Sequence, residues 1–84
     1  MTFFPAVQLI HENAGSQLAA GLAAIDDGQT LFSFKQTTSM DSSAVTCMLA
    51  WKRHAKQRGV KLDFEQVPAN LQSLIVLYGV AELL

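Results

Sequence analysis

Apolar positions in this chain alternate between two spacings, and the switches mark its elements. Val7–Ile10 is apolar with β-branched residues at its ends, which predicts a short strand. Pro5 just before it suits a strand start or an edge. From Asn13, a candidate N-cap, Leu18, Ala19, Leu22 and Ile25 recur at helical spacing, with Ser16 as a later cap candidate. The alanines favour this helix, whereas Gly15 and Gly21 weaken it, and Asp26-Asp27-Gly28 ends it. Thr30–Phe34 alternates in part and predicts a second strand, followed by a polar loop over Lys35–Ser39. A long helix is predicted over Ser42–Arg58. Val45, Met48, Leu49 and Lys52 form one face, and Ala44, Cys47, Trp51 and Ala55 carry the apolar surface round it. Gly59 stops that helix. Val60–Val67 alternates Leu62, Phe64 and Val67 against polar residues, which predicts a third strand closed by Pro68. A last helix, Ala69–Leu77, turns Leu71, Leu74, Ile75 and Leu77 inward, Tyr78-Gly79 breaks it, and Val80–Leu84 packs the chain end.

The resulting order is β-α-β-α-β-α. Strands separated by helices with short connections imply parallel pairing and right-handed crossovers, hence an α/β domain whose mostly parallel sheet is covered by helices. At 84 residues the expectation is a single domain over 1–84.

Composition narrows the function classes. Half of the residues are apolar and 15% are charged, which argues for a folded domain with apolar surface to spare for an interface. Six basic residues face seven acidic ones, so no global positive field gathers nucleic acid. No apolar run approaches the ~18 residues that span a bilayer, and the start MTFFPAVQL lacks a basic leader and a small-residue cleavage site. One cysteine excludes an internal disulfide and a cysteine zinc cluster. A cytoplasmic protein is the expectation.

The segment Met40-Asp41-Ser42-Ser43-Ala44-Val45 stands out because it joins the polar loop to the long helix. Asp41 and Ser42 can cap that helix, since their side-chain oxygens accept from unpaired first-turn N–H groups. The same hydroxyls at a helix N-terminus can meet a partner or take a phosphate. No phosphate-binding glycine motif accompanies them, so no nucleotide site, cofactor or metal is expected. His11 and His54 lie on different elements with no matching carboxylate spacing, and both read as surface or boundary residues. Cys47 reads as a small buried hydrophobe. The basic run Lys52–Arg58 reads as a solvated last turn that complements the helix dipole. Trp51, the only tryptophan, can fill the core or anchor an interface.

Taken together, the D-S-S-A-V junction, the helix ending R-x-x-K-x-R-G, the segment Val67-Pro68-Ala69-Asn70-Leu71 and the ending L-Y-G-V-A-E-L-L resemble the STAS domain family, in particular its compact bacterial MlaB-type subunits. The resemblance runs from about Val7 to Leu84. It implies a small mixed sheet with helices against it and a regulatory binding module, not an enzyme. By this resemblance the chain would accompany the cytoplasmic ATPase of the Mla phospholipid-trafficking ABC transporter, which maintains outer-membrane lipid asymmetry. It would lie peripheral to the inner membrane through that complex, without inserting into it. The partner contact would comprise Asp41, Ser42, Ser43, Thr46 and Trp51, with Ser42 at the MlaB-type ATPase contact. The other branch, the anti-sigma factor antagonists, phosphorylates the position of Ser43 and works by partner switching. This chain departs from the family in three places. Ser33 stands where many members carry Asp, Ala44 replaces the antagonists' Gly, and the N-terminus is short, so the first edge strand is expected to be absent or reduced to Thr2–Phe4.

Overall fold

The computed structural model describes residues 2–84, in which short parallel strands alternate with helices. In chain order the elements are β1 (Thr2–Phe3), β2 (Gln8–Leu9), α1 (Ala14–Asp26), β3 (Leu31–Ser33), β4 (Ser39–Met40), α2 (Ser42–Gln57), β5 (Asp63–Glu65) and α3 (Ala69–Leu77), followed by a 3₁₀ turn at Ala81–Leu83. The α/β class and the parallel pairing are as the pattern implies, and the N-terminal edge strand is present but only two residues long.

The topology differs from the simple alternation in one respect. The main sheet has the order β1-β3-β5, with Phe3, Phe32 and Phe64 in register across it. The strand expected at Val7–Ile10 shrinks to β2, which leaves the main sheet and pairs in parallel with β4. β4 lies at the end of the segment read as a polar loop. Thr38 and Ser39 donate to the Val7 carbonyl, and Thr37, buried, donates its hydroxyl to the Ala6 carbonyl at 2.9 Å. Such pairing depends on contacts some 30 residues apart, which no local alternation reports. The strand expected at Val60–Val67 keeps only its middle, although Leu62 before it is fully buried.

Because side chains alternate along a strand, the row Phe3–Phe32–Phe64 shares one face of the sheet, with neighbouring ring centroids 4.6 and 6.0 Å apart. Trp51 of α2 lies over this row, 5.1 Å from the Phe32 ring in edge-on contact, and is 0% exposed. Its indole N–H donates to the Leu18 carbonyl of α1 at 3.1 Å. Gly21, one turn further along α1, is what allows this approach: a Cβ there would overlap the indole ring. The glycine that weakens the helix by propensity therefore makes room for the largest core side chain. Ala44, Val45, Cys47, Met48 and Ala55 complete the buried side of α2, and Leu71 and Ile75 of α3 join the same cluster.

Two details of the helices depart from the pattern. Leu71 and Ile75 are buried and Leu74 is half-buried, but Leu77 is 74% exposed. At ~100° per residue, Leu77 lies about 200° round from Ile75, off the stripe that faces the core. Asn13 occupies the N-cap position of α1 without capping it. Its side chain instead accepts from the Ile10 N–H at 3.0 Å and donates to the Gln8 carbonyl at 2.7 Å, bracing the turn after β2.

Gly21→Ala should destabilise the domain by roughly 1–3 kcal/mol through overpacking, outweighing the ~1 kcal/mol that alanine gains in helix propensity. Combining it with Trp51→Phe should cost less than the sum of the two single changes. Urea denaturation of the four proteins measures the coupling, and strict additivity would show that the two residues do not interlock. Gly79, at φ +66° after α3, holds a left-handed conformation. Gly79→Val should cost at least about 1–2 kcal/mol, the strain of an L-residue there, read as a lowered thermal midpoint.

Candidate partner-binding surface

The paired strands β2 and β4 set the starts of α1 and α2 side by side, and Asp41 fastens the junction. It is the N-cap of α2: Oδ1 accepts from the Ser43 N–H at 2.8 Å, while Oδ2 accepts from the His11 N–H at 3.0 Å. One carboxylate therefore closes the first turn of α2 and ties it to the chain entering α1. The hydrogen bonds from the His11 and Ser43 amides hold the Asp41 carboxyl below its ordinary range. Capping thus falls to Asp41, and Ser42 is exposed on the first turn of α2 while Ser43 is half-buried.

Ser42 faces a recess of about 290 Å³ lined by Ser42, Val45, Thr46, Leu49, Tyr78 and Val80. It lies between the outer face of α2 and the chain leaving α3. Tyr78 is 52% exposed, and Val76, Leu77 and Leu83 nearby along the chain are also exposed. Leu49 is shared with a second recess of about 250 Å³, lined also by Lys52, Arg53, Lys56 and Leu83. A hydroxyl-bearing end, an apolar middle and a basic end thus follow one another along α2.

Of the residues expected at a partner contact, Ser42 and Thr46 come together at this recess, and Asp41 and Ser43 form the helix start beside it. Trp51 does not belong to the surface. Its indole is enclosed by α1 and the phenylalanine row, so the interface-anchor reading is replaced by the core one. Tyr78, Leu49 and Val80 line the same recess and were not among the residues expected there. The available signal was Tyr78 itself, a large aromatic at the end of α3 that stays half exposed.

The basic run divides among three environments. His54 and Arg58 both meet Asp26 at the end of α1, at 2.7 and 3.1 Å. The carboxylate partner of His54 thus comes from another helix, outside any local spacing. These contacts, led by the His54 hydrogen bond, hold the Asp26 carboxyl below its ordinary range. Lys52 donates to the Leu62 carbonyl and stands over the Phe64 ring. Arg53 projects outward as an exposed residue, as does Lys56. Cys47 is buried, and burial raises its thiol pKa, which disfavours the nucleophilic thiolate. Among the described residues no cluster of three or more His, Cys, Asp or Glu side chains could hold a metal ion, and no helix is long and apolar enough to cross a membrane.

A family model described as "Mlab, STAS domain" matches residues 8–84. The chain belongs to the STAS domain family, whose members are generally non-catalytic binding domains, and this membership supports a general accessory or regulatory role. Comparison with curated proteins and with solved structures returns no match.

Both carboxyls are depressed in the folded state, so their contributions to stability are present above the ordinary carboxylate pKa and are lost as pH falls through the lower native values. Stability should therefore rise with pH across the acid range, from below about pH 4. Asp26→Asn and Asp41→Asn should each flatten this acid limb. Urea midpoints measured against pH would check this, and limbs as steep as the parent's would show that these carboxylates are not the linked groups.

Proposed function

We propose that this domain is a non-catalytic accessory subunit that docks on the cytoplasmic ATPase of a phospholipid-trafficking ABC transporter of the Mla type. It would reside in the cytoplasm and reach the inner membrane only through that complex. The observation that carries the reading is the recess joining Ser42 and Thr46 to Tyr78 and Val80. A small hydroxyl at the helix start permits close backbone approach, and Tyr78 beside it offers the amphipathic ring favoured at protein contacts. The family description, which names MlaB, supports the same partner class.

The antagonist reading depends on phosphorylation of Ser43. Ser43 is half-buried, and its N–H already bonds the Asp41 carboxylate. A phosphate there would gain the helix N-terminus but stand against a fixed anion. Ser42, by contrast, is exposed and has no part in the cap, which favours the docking reading.

Ser42→Arg should leave the fold intact and strongly weaken co-purification with the ATPase, because a long charged side chain would be trapped at the contact. Ser43→Ala should retain binding; on the antagonist reading it would abolish switching. Circular dichroism controls for folding, and wild-type binding by folded Ser42→Arg protein would sink the proposed interface.

A further inference from the structure

The outer stripe of α2 reads Ser42, Thr46, Leu49, Arg53, Lys56, at alternating steps of four and three residues. Steps of three and four residues keep these five positions on one face of the helix. The stripe covers roughly 20 Å at ~1.5 Å per residue, about four turns. Its opposite wall is the chain from Tyr78 through Val80 to Leu83. Tyr78 and Val80 stand at the hydroxyl end and Leu83 at the basic end. Leu49 lines both recesses, so they adjoin along α2 as one groove, its first hollow mostly apolar and its second basic.

The charges at its ends are unequal. Lys52, Arg53 and Lys56 line the second hollow, and no carboxylate lines either one; Glu82 shares the 3₁₀ turn with Leu83 but is not among the lining residues. Among the described residues, Arg53 and Lys56 form no ion pair, whereas Arg58 on the same helix is paired with Asp26. The domain's net charge is −1, so this positive end is a local feature on a chain that is otherwise balanced.

We infer that the groove receives a segment of the partner ATPase that places an apolar side chain in the first hollow and carboxylates over Arg53 and Lys56. The inference rests on the docking reading above and specifies the chemistry of the segment bound there. Concave hollows suit side chains projecting from a protein segment, whereas a bilayer surface meets protrusions. A chain of net charge −1 also has no general attraction to anionic lipid. The basic end selects acidic segments and fixes the direction in which a segment lies, since a reversed segment would carry its carboxylates to Ser42 and Thr46.

The test uses the purified ATPase and the full chain, with binding measured at low and high salt. The Arg53→Glu/Lys56→Glu pair should weaken binding at low salt by at least about tenfold, a loss of favourable charge pairing. It should also remove most of the salt dependence seen with the parent. A photo-crosslinker at Leu49 should attach to a segment that also bears carboxylates, and exchanging those carboxylates for lysine should restore binding to the double variant. Parent-like binding by the double variant, with Ser42→Arg still defective, would overturn this inference and leave the docking reading standing. No binding by the parent protein would overturn both. Binding to phosphatidylglycerol vesicles that the double variant loses, without any loss of ATPase binding, would assign the basic end to lipid and overturn the inference. So would a dimer of this chain that the double variant disrupts while retaining ATPase binding.

Discussion

The seating of Trp51 against α1 is the contact on which the arrangement depends. A parallel sheet of two- and three-residue strands supplies few ladder hydrogen bonds, so the relation between helices and sheet has to come from packing. The indole meets the phenylalanine row on one side and Gly21 on the other, and its N–H is satisfied by the Leu18 carbonyl. A buried indole needs both room and an acceptor, and α1 provides them within one turn. With that contact made, α1 and α2 lie side by side with their starts at the same end. Asp41 closes that end, and Asp26 meets His54 and Arg58 at the other.

This arrangement divides α2 into two jobs. Its inner face, from Ala44 to Ala55, is committed to the core, with Val45 at its edge also lining the outer recess. Its outer face carries Ser42, Thr46, Leu49, Arg53 and Lys56, none of which is fully buried. The first turn is held rigidly by a carboxylate that also grips the preceding loop, so Ser42 is presented from a fixed backbone. A rigidly presented hydroxyl loses little freedom on docking, which lowers the entropic cost of binding. The exposed Tyr78 and Leu83 extend the same surface, giving so small a domain an apolar area beyond what its core requires.

Much of this was legible in the residues. Helical spacing located α1, α2 and α3, partial alternation located β3, and the D-S-S junction marked the start of α2. Those signals are local: a helix buries a stripe set by its own period, and a cap acts on its own first turn. The parallel order also followed, because helices between strands allow little else.

What tertiary structure alone decided involves partners distant along the chain. The pairing of β2 with β4 removed an expected strand from the main sheet, since backbone hydrogen bonding there depends on which segments the packed helices bring together. Trp51 moved from possible interface anchor to core because Gly21, 30 residues earlier, leaves space for it. His54 found its carboxylate on another helix. The groove that joins Ser42 to Tyr78 exists only once the chain after α3 folds back along α2. The amino-acid sequence determined the elements and the helix start because these are short-range periodicities and caps; the surface those elements form together was decided by packing.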